Sequence, residues 1–155
     1  MQILCDADGT LFTHDYPEIG EDIGAAPVLR DLVNKGHKLI LNTMRSDQPG
    51  RRQYLTEAVA WFSRNGIELY GIQEDPNQHT WTSSRKAYGQ LSLDDINLGI
   101  PLITWEFDSD GDGDQDVNLT TSHNHKFVLP NLPIHPRPYV DCGNTEFLLK
   151  QKGIL

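Results

Sequence analysis

A short apolar run, Gln2-Ile3-Leu4-Cys5, stops abruptly at Asp6-Ala7-Asp8-Gly9-Thr10. The run reads as a buried strand of a parallel sheet. The two aspartates then fall at its carboxyl end, where open α/β sheets place their ligands. Carboxylates one residue apart make a dense negative centre, which a protein stabilises with a cation or by raising a pKa. Mg²⁺ is the natural partner, since it takes one or two carboxylates together with phosphate oxygens of a substrate.

The residues that follow repeat the pattern. Pro27 opens a helix whose apolar stripe is Val28, Leu29, Leu32 and Val33, and Gly36 suits its stop. Leu39-Ile40-Leu41-Asn42-Thr43 is a second buried strand with a polar tip. Strand, helix, strand in this order implies a right-handed crossover and a parallel sheet. A helix is predicted from about Arg51 to Arg64, with Leu55, Ala58, Val59 and Phe62 on one face and Asn65-Gly66 at its end. Ile67-Glu68-Leu69-Tyr70 reads as a third strand, and Leu91-Ser92-Leu93 as a fourth that stops at Asp94-Asp95. Ile100-Pro101-Leu102-Ile103 reads as a short strand near the sheet's edge, because proline cannot donate to a ladder. Asn144 to Lys152 is a closing helix, packed through Phe147 and Leu148 and stopped by Gly153. Residues 12–23 lack a period and read as a flap over the mouth of the site. The expected fold is a doubly wound, Rossmann-like α/β three-layer sandwich with a mainly parallel sheet. It forms a single domain over 1–155, with 104–139 as an irregular, loop-rich insertion.

Composition bounds the function. At 155 residues, 37% of them hydrophobic, one domain with a real core is expected. No apolar run has membrane-spanning length and no secretory signal is visible, so a cytoplasmic protein without a membrane partner is expected. The formal net charge of −9 argues against broad capture of nucleic acid, but leaves room for a small anionic substrate on a local basic patch. Cys5 and Cys142 are too few for a disulfide framework. Cys5, on a buried strand, acts as a small hydrophobe, and Cys142 has no second Cys or His at metal-ligand spacing.

Three strands end in polar residues of particular kinds: Asp6 and Asp8 on the first, Thr43 on the second, Asp94 and Asp95 on the fourth. Lys86 stands shortly before the fourth. In a parallel sheet those ends lie along one edge, which brings carboxylates, a hydroxyl and an ammonium within reach of one another.

In this ordered set the sequence resembles the haloacid dehalogenase superfamily of phosphohydrolases. Asp6-Ala7-Asp8-Gly9-Thr10 matches the first motif, Thr43 the second, Lys86 the third and Leu93-Asp94-Asp95 the fourth. Ser84-Arg85-Lys86, the stretch Leu93 to Gly99 and the tail Arg137 to Asp141 are similar to small bacterial and phage members. The resemblance implies a Mg²⁺-dependent phosphomonoesterase. Asp6 would be the nucleophile, forming an aspartyl-phosphate. Asp8 would protonate the leaving alcohol and then activate water. Asp6, the Asp8 backbone carbonyl and Asp94 would hold Mg²⁺. Asp95 would be an outer or alternative ligand, or else a helix N-cap. Thr43 would donate to a phosphoryl oxygen, and Lys86, with Arg85 as its rival, would neutralise charge on Asp6 and the phosphoryl group. Gly9, Thr10 and Asn42 would line the substrate, Gly9 because backbone must curl round the site.

Neither gap between motifs holds a full cap domain, so the site is expected to be open, with a neighbouring subunit of a homo-oligomer as a lid to consider. Arg45, with Arg51 and Arg52 nearby, is expected to contact the non-reacting part of a substrate. That substrate is a nucleotide, a sugar phosphate or something larger, a polynucleotide end or a phosphoprotein included. Two other readings stay open. One is a non-catalytic metal- or phosphate-binding module that kept the site. The other is a calcium-binding protein using 108–116, where Asp108, Asp110, Asp112 and Gly113 fit an EF-hand loop but Leu119 stands in place of its closing Glu. His123 and His125 would share one face of a strand, and Asn118-Leu119-Thr120 is a glycosylation triplet discounted for want of an export signal.

Overall fold

A computed structural model of the chain describes residues 1–97, 100–103 and 139–155. Among them β1 (Gln2–Cys5), β2 (Lys38–Leu41), β3 (Gly71–Ile72) and β4 (Leu91–Leu93) form one parallel sheet in the order β3-β2-β1-β4. Ile3 pairs with Leu39 and Leu91, and Cys5 with Leu41 and Leu93. The ladder runs one residue past the strands, where the Asp6 N–H donates to the Leu93 carbonyl at 2.9 Å and the Asn42 N–H to the Cys5 carbonyl at 2.9 Å.

The connections β1 to β2 and β2 to β3 step the same way across the sheet. Right-handed crossovers therefore put α1 (Ala25–Asn34) and α2 (Tyr54–Arg64) on one face. Their buried residues, among them Leu29, Leu32, Ala58 and Phe62, share a core with Ile3, Cys5, Leu39 and Leu41. α3 (Cys142–Gln151) joins that core through Cys142 and Leu149. The link from β3 to β4 turns back past β2 and β1 and so covers the opposite face. A Cβ added to Gly89 would lie 2.5 Å from Leu4 Cγ, and one added to Gly71 3.4 Å from Ile40 Cγ1. The architecture is thus the parallel α/β, Rossmann-like sandwich read from the sequence. One outer layer is helical and the other is the segment 73–90 with a 3₁₀ turn at Gln78–Thr80. No helix among the described residues is long and apolar enough to cross a membrane.

Four local expectations are corrected. α2 starts at Tyr54, not Arg51, because the Asp47 carboxylate accepts from the Leu55 and Thr56 N–H groups at 2.8 and 3.1 Å and so fixes the first turn. The third strand is Gly71–Ile72; Ile67 is instead folded back on α2, its N–H donating to the Phe62 carbonyl at 3.0 Å. Leu102–Ile103 pairs antiparallel with Tyr139–Val140 in a separate ladder and does not extend the sheet. α3 packs through Cys142, Thr145 and Leu149, spaced three and four apart, which leaves Phe147 57% exposed on the other side. Asp108 to Asp116, Asn118, His123, His125 and most of the insertion lie outside the described residues.

Candidate metal centre at the sheet switch point

Chain direction across the sheet reverses between β1 and β4, and open α/β sheets bind ligands in the crevice at such a point. Asp6 follows β1, and Asp94 and Asp95 follow β4. One carboxylate oxygen from each of the three lies within 4.8 Å of the others. The Asp6 carboxyl is pushed up to about 7, first by burial and then by the charges of Asp94, Asp95 and Asp8, against the lowering effect of the Ala7 N–H. Asp94 is raised too, by burial and by Asp95. Three half-buried carboxylates this close together are hard oxygen donors, a set that fits a hard divalent cation.

The turn after β1 builds the floor. Gly9 has φ +80°, and its carbonyl accepts from the Val140 N–H at 2.7 Å. A Cβ there would fall 2.3 Å from His14 Nε2 and 3.1 Å from Asp95 Cγ, so only glycine lets His14 approach. His14 Nε2 is 3.2 Å from Asp95 Oδ2. Thr10 is buried, and its hydroxyl oxygen accepts from the Asp95 N–H at 3.1 Å. Gly9 and Thr10 therefore shape the acidic cluster from below.

Asp8 turns away from that cluster toward Arg45. Nε and NH2 of Arg45 donate to its two oxygens at 2.7 and 2.6 Å. Arg45 is 2% exposed, and it also donates to the Pro17 and Glu18 carbonyls at 3.2 and 2.6 Å and lies over the Phe12 and Tyr16 rings. The expectation that Arg45 meets substrate is corrected: the guanidinium is spent on Asp8 and on tying down the flap, which also bridges through Phe12 to Asp8 and Asp22.

Thr43 Oγ1 accepts from the Arg45 N–H at 3.3 Å, which leaves its own proton to donate. Asn42 lies beside it, half-buried at the tip of β2. Lys86 is exposed, and no ion pair joins it to the carboxylates among the described residues. Its loop does cover the sheet face of Leu4, which the alternation of β1 continues to Asp6.

No family model and no curated protein matches the chain. Among solved structures, a conserved protein coded by a locus of Bacteroides thetaiotaomicron is similar, at 39% sequence identity and a TM-score of 0.56. The match covers 64% of this chain and 78% of that one. The chain belongs to the family of that protein.

In this member of the family two contributors escape a reading of the sequence. Gln73 takes a left-handed φ of 63°, uncommon outside glycine, and its amide brackets Thr43. Its Oε1 accepts from the Thr43 N–H at 3.1 Å, and its Nε2 donates to the Thr43 and Arg45 carbonyls at 2.5 and 3.2 Å. His14 sits in a stretch with no period. Its closeness to the second motif-like aspartate pair, 81 residues away, has no local signal.

Proposed function

We propose that the chain is a Mg²⁺-dependent phosphohydrolase of the haloacid dehalogenase type, acting on a phosphate monoester. One observation carries the reading: carboxylates from the ends of two adjacent parallel strands, Asp6, Asp94 and Asp95, converge at the switch point of the sheet. A bound cation would neutralise them and draw charge from a phosphoryl oxygen. In this reading the second oxygen of Asp6 attacks phosphorus, the P–O bond to the leaving group breaks, and an aspartyl-phosphate forms. Water then attacks that phosphorus, releasing phosphate and restoring the Asp6 carboxylate. The Thr43 hydroxyl donates to a phosphoryl oxygen from a loop braced by Gln73. Asp8, with both oxygens accepting from Arg45, would take the proton of the attacking water, and the leaving oxygen would take its proton from solvent.

A second reading, a metal- or phosphate-binding module without turnover, is favoured by that same pairing and by the exposure of Lys86. A panel of phosphate esters with Mg²⁺ separates the two. Turnover that EDTA abolishes, Mg²⁺ restores and Asp6→Asn removes supports the hydrolase. Mg²⁺ binding without turnover of any ester supports the module.

A further inference from the structure

From Pro76 to Leu93 the chain carries no acidic residue, although 22 of its 155 residues are Asp or Glu. Within that stretch Trp81 is 60% and Tyr88 41% exposed, their rings 5.5 Å apart and nearly perpendicular. Edge-to-face packing leaves ring faces open to a further partner. Arg85 and Lys86 are also exposed, and no carboxylate among the described residues pairs with either. In a chain of net charge −9, two uncompensated cations on the same loop as two exposed aromatic residues form a local exception.

The loop that carries them is held in place. Gln78 is buried, its Nε2 donates to the Ser84 and Lys86 carbonyls at 2.8 and 2.7 Å, and its Oε1 accepts from the Tyr88 N–H at 2.7 Å. Ala87 is buried, and Gly89 is pressed on Leu4. Groups fixed before a ligand arrives lose little entropy on binding it.

We propose that this loop is a binding platform for a nucleotide, the base stacking on Trp81, against which Tyr88 packs edge to face, and the phosphate meeting Arg85 and Lys86. Every base offers a flat face to an aromatic side chain, and Arg and Lys bind phosphate through charge-assisted hydrogen bonds. A sugar phosphate would use the cations and leave the rings bare. A duplex hides its bases and meets an acidic protein. The shared chemistry is therefore an unpaired base bearing a phosphate, either a free nucleotide or the end of a single strand. This names the substrate class of the proposed hydrolase and rests on that reading only for the fate of the phosphate.

The test measures binding without turnover. The Asp6→Asn chain, in Mg²⁺, is titrated calorimetrically with adenosine 5′-monophosphate, with ribose 5-phosphate and with a 5′-phosphorylated tetranucleotide. The nucleotide or the tetranucleotide binds more tightly than ribose 5-phosphate, and the tighter of the two identifies the source. Adding Trp81→Ala weakens that binding about tenfold or more, the loss expected for one base stack. It leaves ribose 5-phosphate within about twofold, by the same stacking argument. Adding Arg85→Gln weakens all three. The platform is overturned if neither base-bearing ligand binds better than ribose 5-phosphate. It is equally overturned if Trp81→Ala, with unchanged circular dichroism, binds the base-bearing ligand as before. If the Asp6→Asn chain binds nucleotide yet the wild-type chain turns over no ester, the hydrolase reading alone is defeated.

Discussion

Arg45, two residues beyond Thr43, grips both carboxylate oxygens of Asp8 across 37 residues of chain, at 2.7 and 2.6 Å. The guanidinium is buried while Asp8 stays partly open to water. Arg45→Ala strands Asp8 and the Pro17 and Glu18 carbonyls. Breaking one partner of a buried pair costs about 3–5 kcal/mol, and the exposure of Asp8 argues for the low end. Urea unfolding should show that loss, and Arg45→Lys should recover little of it, since an ammonium lacks the fork. Unchanged stability in Arg45→Ala would mean the pair is not formed in solution.

The Asp6 carboxyl titrates at about 7 in the folded chain against an ordinary 3.8. Between those values the folded chain keeps a proton that the unfolded chain has released. Metal-free stability should therefore fall as pH rises from about 4 to about 7, by at most about 4 kcal/mol and less where solvent screens the site. Thermal unfolding in EDTA should show the decline, Asp6→Asn should flatten it, and saturating Mg²⁺ should reduce it. A wild-type slope equal to that of Asp6→Asn would show that Asp6 is not raised.

Gly9→Ala should separate His14 from Asp95. The backbone at φ +80° costs about 1 kcal/mol or more for a residue with a Cβ, and the added carbon would collide with the His14 ring. Lower stability and weaker Mg²⁺ binding by calorimetry are expected together. Gly24, also at positive φ but with open space around it, is the control: Gly24→Ala should show the backbone cost alone.

Asp94→Asn removes one charge from the cluster and should weaken Mg²⁺ at least about tenfold, the scale on which metal sites respond to altered ligation. Calorimetry with and without the substitution measures it. Equal affinity would place the ion elsewhere.

If Asp8, with both oxygens held by Arg45, does not protonate the leaving oxygen, turnover should depend steeply on the leaving group. Aryl phosphates should be hydrolysed at least about tenfold faster than alkyl phosphates, a factor within the usual range for general acid catalysis. Equal rates for the two classes would show that Asp8 protonates the leaving oxygen despite Arg45.

Much of the frame was readable because its signals are local. The run Leu39 to Leu41 is buried on both faces, the run Ile3 to Cys5 on one face with Leu4 half-buried on the other, and both read as central parallel strands. The aspartates after β1 and β4 could be assigned to one edge because parallel strands end on the same side. Short elements read less well. Gly71–Ile72 has almost no sequence pattern, being two residues long, and Phe147 and Leu148 looked like a core face although the helical period of Cys142, Thr145 and Leu149 won.

By itself the sequence determined the order of elements along the chain, the helix stops and the placing of Asp6, Asp8, Asp94 and Asp95 at strand ends, since each follows from neighbours a few residues apart; that Asp95 and not Asp8 joins Asp6 and Asp94 was decided by the fold. Only the tertiary structure decided which partner each charged or polar side chain took: Arg45 for Asp8 rather than for a substrate, His14 for Asp95, Gln73 for the Thr43 loop. Such pairings depend on where distant segments pass one another, and a hydrogen bond forms only within about 3 Å, a condition that no periodicity encodes.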